Sequence, residues 1–130
     1  MAKLKISNER LSEEQCKARL TSIADALYVI GGKWKLRIIL ALTDGNKRFN
    51  ELKRVVEGIS SKVLSTELKE LELNGFVNRI IFTGTPVVVE YELSEYAETL
   101  TSVLNSLSEW GAMHRETVKK SMKKKKPVGA

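Results

Sequence analysis

Lys62, Ser65, Thr66 and Lys69 recur at the three- and four-residue spacing that puts side chains on one face of a helix. Two ammonium groups and two hydroxyls set out this way do no covalent chemistry; they offer cations and hydrogen-bonding groups to phosphate oxygens and base edges. Leu64, Leu68 and Leu71 fall on the opposite side, so the segment has one face to bury and one to present. No carboxylate enters the presented face until Glu72 in the last turn, because Glu67 and Glu70 are rotated away from it. An ordinary solvated face mixes both signs of charge. The pattern therefore implies a helix held against a polyanion, with Ser60 as its N-cap and Ser61 and Lys62 at the end that meets base edges in a major groove.

Covalent chemistry finds little material. A single Cys16 and a single His114 cannot assemble a zinc set, a disulfide or a nucleophile–base pair, and no glycine-rich phosphate loop occurs. The expectation is a protein that is not an enzyme and carries no metal or cofactor. No apolar run approaches the roughly 20 residues needed to span a bilayer, and the first residues lack a secretory apolar block, so the expected location is cytoplasmic, without a membrane partner.

The elements that must position the basic face follow from periodicity and punctuation. Ser12 through Gln15 has capping-box spacing and opens a helix, with a candidate break near Thr21, that stops at Gly31 and Gly32. Trp34, Leu36, Ile38, Ile39, Leu40 and Leu42 make a largely buried second helix. Asn50 is the expected cap of a third helix, 51 to 56. Glu57, Gly58, Ile59 and Ser60 have the length and composition of a helix-turn-helix turn. After the helix 61 to 73, Asn74 and Gly75 form a stop. Residues 76–82 and 87–93 then read as strands around Thr83, Gly84, Thr85 and Pro86, a wing. Ser94 caps a last helix with Leu100, Val103, Leu104, Leu107 and Trp110 on one stripe. The expected fold is mainly α with a small antiparallel β wing, a winged helix-turn-helix. Residues 1–8 are expected to be flexible, 9–117 to form the domain with its flanking helices, and 118–130 to be a disordered lysine-rich tail.

Charge is segregated along the chain, whose net charge is +6. Lys33, Lys35, Arg37, Lys47, Arg48, Lys53, Arg54, Lys62 and Lys69 make residues 33–69 basic, residues 70–118 are acidic, and the end is lysine-rich. Such polarity suits a middle segment that faces phosphate. Arg48, Asn50, Lys53 and Arg54 are expected to hold phosphates around the start of the third helix, and Lys33 and Lys35 at the start of the second. Arg79 and the wing tip of Thr83, Gly84 and Thr85 are the candidates for an adjacent minor groove.

These segments resemble the HxlR-type family of winged-helix transcriptional regulators. The resemblance is carried by Ile30-Gly31-Gly32-Lys33-Trp34, Arg48-Phe49-Asn50-Glu51-Leu52, Gly58-Ile59-Ser60 with Leu64, Leu68 and Leu71, Asn74-Gly75, Val89-Glu90-Tyr91-Glu92-Leu93 and Trp110-Gly111, in order, across about residues 23 to 113. It implies a homodimer on a roughly palindromic duplex operator, with the first and last helices as the interface; Leu20, Ile23, Leu27, Leu100, Val103, Leu104, Leu107 and Trp110 are its candidates. Many members carry a cysteine and proline where Thr21 and Ser22 stand here, so Cys16 is read as a packing residue and not as a sensor. Tyr28 and Tyr96 are candidates to line a pocket for a small-molecule effector of unassigned identity. The alternative function is a winged-helix module that binds protein, for which the presented face should carry aromatic and apolar anchors in place of lysines and hydroxyls.

Overall fold

A computed structural model describes residues 10 to 124. Helix α1 (Glu13–Ile30) opens with a reciprocal cap: the Ser12 hydroxyl accepts from the Gln15 N–H at 3.1 Å, and the Gln15 side-chain oxygen accepts from the Ser12 N–H at 2.9 Å. The helix is unbroken at Thr21. The hydroxyls of Thr21 and Ser22 donate back to the carbonyls of Lys17 and Ala18, which keeps them inside the helix instead of offering the backbone another turn. The reversal that follows needs glycine: a Cβ on Gly31 would sit 2.2 Å from the Leu27 carbonyl oxygen, and Gly32 has φ 94°.

Helices α2 (Lys35–Ala41), α3 (Phe49–Val55) and α4 (Ser61–Leu73) come next, then strands β1 (Val77–Phe82) and β2 (Val88–Leu93). The strands pair antiparallel from Val77 opposite Leu93 to Phe82 opposite Val88. Lys47 adds a one-residue third edge, exchanging both backbone hydrogen bonds with Tyr91 at 3.1 and 2.8 Å. A short 3-10 turn, Tyr96–Leu100, leads into the long helix α5 (Thr101–Lys124).

The core gathers Ile38, Ile39 and Leu42 of α2, Leu52 of α3, Val56 and Ile59 after it, Leu64, Leu68 and Leu71 of α4, and Phe76, Val77, Ala97 and Leu100. Ser94 ties its two ends together. Its hydroxyl donates to the Gly75 carbonyl at 2.5 Å and accepts from the Ala97 N–H at 3.2 Å, so the exit of α4 is fixed to the approach to α5. Helix α1 contributes its last turn to this core, with Ile30 buried and Val29 half-buried against it.

Several expectations are corrected. Helix α3 begins at Phe49, not after Asn50, because the Glu51 carboxylate accepts from the Arg48 N–H at 2.8 Å and so caps two residues earlier. Ser94 caps a 3-10 turn before the last helix. Leu40 is not buried: it lies on the outer side of α2, away from Ile38 and Ile39. The segment 118 to 124 is helical, overturning the expectation of disorder from 118; lysine, methionine and valine continue a helix, and no glycine or proline interrupts before Pro127. Residues 1–8 and 125–130 lie outside the described residues.

Because Leu68 is enclosed while Leu73 on the same helix is 86% exposed, Leu68→Ala is expected to lower the unfolding free energy by about 2–5 kcal/mol and Leu73→Ala by less than about 0.5 kcal/mol. Urea titration of both variants checks the orientation of α4; similar losses would contradict it.

Candidate nucleic-acid interface

Helix α4 is held by its cap and its leucines. The Ser60 hydroxyl accepts from the Val63 N–H at 3.1 Å, and Gly58, at φ 88°, makes the turn from α3 that a Cβ would strain. With Leu64, Leu68 and Leu71 packed inward, Ser61, Lys62, Thr66 and Lys69 are exposed and Ser65 is half-buried. The Thr66 hydroxyl donates to the Lys62 carbonyl at 3.1 Å, which leaves its lone pairs and methyl group as what it can present outward.

The two acids missing from that face are engaged elsewhere. Lys35 Nζ lies 3.1 and 3.0 Å from the two carboxylate oxygens of Glu67 and 3.3 Å from Glu70 Oε1. Only 8% of Lys35 is exposed. Lys35 is therefore not a phosphate grip, as its position at the start of α2 suggested; the turn at Gly31 and Gly32 directs it into the flank of α4. Burial pulls its ammonium down, but hydrogen bonds and Coulomb attraction from Glu67 and Glu70 outweigh that and hold its pKa above the ordinary 10.5. Lys47 is likewise engaged with Asp44 at 2.6 Å, and this bond holds the Asp44 carboxyl below its ordinary range.

The other expected phosphate groups are outward but not one cluster. Arg48 and Asn50 stand at the start of α3, whereas Lys53 and Arg54 stand in its last turn, and all four are exposed. Lys33 is exposed, with its ammonium 4.9 Å from the Trp34 ring centroid. Arg37, which was not singled out in the sequence, covers the same ring at 4.7 Å and donates to the Glu57 carbonyl at 3.4 Å, bracing the helix-turn-helix turn. The three-residue step from Trp34 to Arg37 was its available signal.

Arg79 is exposed on β1, but it sits beside α4 and not at the wing tip: it lines a concavity with Ser65, Leu68, Lys69, Glu72 and Tyr91. Tyr91, read as a core aromatic, is half-buried there and pairs with Arg79 in the sheet register. Strand pairing puts the two together, which spacing along the chain does not reveal. Thr83, Gly84 and Thr85 are exposed at the turn between the strands.

A second surface is apolar. Leu20, Ile23 and Leu27 of α1 and Val103, Leu107 and Trp110 of α5 are exposed. Two expected members depart from it: Leu100 is closed into the protomer's own core, and Leu104 is half-buried against that core, because the stripe's first turns serve to dock α5. Cys16 is exposed on α1 of the protomer, so it is not buried in the protomer's own core. Tyr28 is exposed, and Tyr96, also exposed, stacks on Phe76 with ring centroids 5.3 Å apart. Among those residues no helix is long and apolar enough to cross a membrane, and no group of His, Cys, Asp and Glu side chains is arranged to hold a metal ion.

Residues 29–119 match the model of the HxlR-like helix-turn-helix family. The chain is 50% identical to the HTH-type transcriptional regulator YtcD of Bacillus subtilis over 93 residues, 72% of this chain and 74% of that protein. A crystal structure of a ytcD regulator superposes with a TM-score of 0.69 at 48% identity, over 72% of this chain and 96% of that one. The redox regulator HypR in its reduced form gives 0.71 at 37% identity, over 76% and 98%.

Lys35→Met is expected to cost about 3 kcal/mol at pH 7, the lower end of the range for breaking a buried pair because Glu70 keeps about half its side chain in water. A lysine whose folded pKa is raised contributes its full stabilisation below 10.5 and loses it as pH rises through the folded value. Urea titrations should therefore show a constant gap between wild type and variant from pH 7 to about pH 10, closing above that. A gap that closes between pH 8 and 9 would contradict the pairing.

Proposed function

The chain belongs to the HxlR-like helix-turn-helix family, and from that membership we propose that it regulates transcription as a homodimer, inserting the α4 helices of two copies into successive major grooves of a roughly palindromic operator. The observation that carries this reading is the outward face of α4, where Lys62, Thr66 and Lys69 stand exposed while Glu67 and Glu70 are drawn aside by Lys35. Lysines and hydroxyls supply charge and single hydrogen bonds. They lack the bidentate fork that Arg offers guanine, so duplex shape carries part of the selectivity.

Ser61, Lys62, Ser65, Thr66 and Lys69 act as the reading set, and Ser60 fixes the helix end with its hydroxyl hydrogen still free for a phosphate. Arg48, Asn50, Lys53, Arg54 and Lys33 position the backbone, with Arg79 beside α4 and Thr83, Gly84 and Thr85 at the wing. What supports the dimer is the exposure of apolar side chains at helical spacing on both α1 and α5, Leu20, Ile23 and Leu27 on one and Val103, Leu107 and Trp110 on the other. Operator half-sites are then about 34 Å apart, one turn of duplex. The cytoplasm, where such an operator is met, is the proposed place of action. A protein-binding module is disfavoured by the same α4 face, since Leu73 is its one large exposed apolar side chain beyond Val63.

Selection from random duplexes with the purified chain should enrich a two-fold symmetric site; an asymmetric or featureless pool counts against the dimeric reading. On that site Lys62→Ala should weaken selective binding by about 1–3 kcal/mol, and Arg48→Ala and Arg54→Ala should each reduce the slope of log affinity against log salt by about 0.9. Fluorescence anisotropy across a salt series reads both, and unchanged slopes in both arginine variants would remove their positioning role.

A further inference from the structure

The three leucines that seat α4 form a continuous stripe, and because the hydrophobic effect is non-directional, their packing limits the roll of the helix through shape alone. A roll of roughly 20° on a helix about 10–12 Å across moves the side-chain tips by about 2 Å. Base-edge hydrogen bonds do not survive such a shift, since the useful donor–acceptor window is only about 2.7–3.2 Å. Something directional must fix the phase. Among the described residues, the polar contacts from another helix that reach the middle of α4 are those of Lys35: both oxygens of Glu67 and one of Glu70, three residues apart on the flank between the leucine stripe and the presented face. The clamp is nearly closed to water at Lys35 and Glu67, whose side chains are 10% and 13% exposed.

We propose that Lys35 is a specificity-determining positioning residue, a clamp that sets the rotation of α4 and screens the charge of Glu67 and Glu70 from approaching phosphates. This rests on the reading of α4 as the helix that enters the groove. Lys35 itself touches no DNA. It begins α2, with four residues between it and the end of α1 at Ile30, so the short link that holds the Gly31–Gly32 reversal delivers the clamp. The arrangement has two separable consequences. Screening is sequence-independent and affects all duplexes equally, whereas rotational phase affects only the preferred site.

The test compares affinity for the selected site with affinity for a scrambled duplex of equal length, at a temperature where circular dichroism shows the fold intact. Wild type must first prefer its site; if it binds all duplexes alike, both the DNA-reading proposal and this one fail. In Lys35→Met the preference should fall at least ten-fold while the salt slope stays that of wild type, because no phosphate contact is lost. A slope reduced by about 0.9 with the preference intact would make Lys35 a phosphate ligand and overturn the proposal. Adding Glu67→Gln and Glu70→Gln to Lys35→Met should restore affinity for the scrambled duplex without restoring the preference; restoration of both would mean that charge screening alone matters. Should Lys35→Met not fold, Glu70→Gln alone removes one arm at a half-exposed position. It should lower the preference about three-fold, and an unchanged preference overturns the proposal while leaving the DNA-reading role of α4 standing.

Discussion

One helix has to satisfy two surfaces at once, and the rest of the structure follows from that requirement. Helix α4 buries Leu64, Leu68 and Leu71 completely or nearly so, yet its opposite side must remain free of both protein and carboxylate. Hydrophobic burial supplies the seat, with angular restraint from shape alone. The directional constraint comes from Lys35, an ammonium taken out of water only because two carboxylates of α4 meet it. Removing either side leaves an uncompensated charge at a nearly closed site, so helix α2 and helix α4 are coupled through a contact that tolerates little drift.

Around that pair the fold is arranged to protect orientation. The Ser60 cap and Gly58 define where α4 begins, and Ser94, bonded to the Gly75 carbonyl and the Ala97 N–H, defines how it leaves. Trp34 lies under two cations, Lys33 and Arg37, and Arg37 reaches the Glu57 carbonyl in the turn. The basic character of residues 33–69 thus has two parts. Lys35 and Lys47 are consumed in internal pairs, while Lys33, Arg48, Lys53, Arg54, Lys62 and Lys69 remain outward. In contrast, the long helices α1 and α5 carry their apolar side chains into solvent on the protomer, an arrangement that makes sense for elements completed by a second copy.

Much of this was legible in the sequence. Among the described residues periodicity located each α-helix but not the 3-10 turn before the last one, alternation and turn residues located the wing, and the angular offset between leucines and lysines on α4 identified which side is buried. What was not legible depends on contacts between elements distant in the chain. The absence of acids on the α4 face follows from helical phase and could be read, but the partner of the flanking acids, Lys35 reaching Glu67 across 32 positions, could not, and so phosphate is the expectation for Lys35. Arg79 was placed at the wing because register with Tyr91, which brings it to α4, is a property of strand pairing. Leu100 was counted with the outward stripe of α5 because a stripe does not reveal where a helix stops docking and starts projecting. The helical state of 118 to 124 was missed because lysine density suggested disorder, although nothing there breaks a helix.

The central claim is that one lysine is hidden to hold the helix while two others are held out for the duplex. Quantitative reactivity of individual lysines toward an amine-modifying reagent, read by mass spectrometry with and without duplex DNA, tests it in a single experiment. The account predicts that Lys35 is unreactive in both states, that Lys62 and Lys69 are reactive in the free protein and protected by duplex, and that Lys17, far out on α1 with 74% of its side chain exposed, serves as a reactive control in the free protein. A reactive Lys35 in the free protein, or Lys62 and Lys69 remaining equally reactive in a saturated DNA complex, would contradict it.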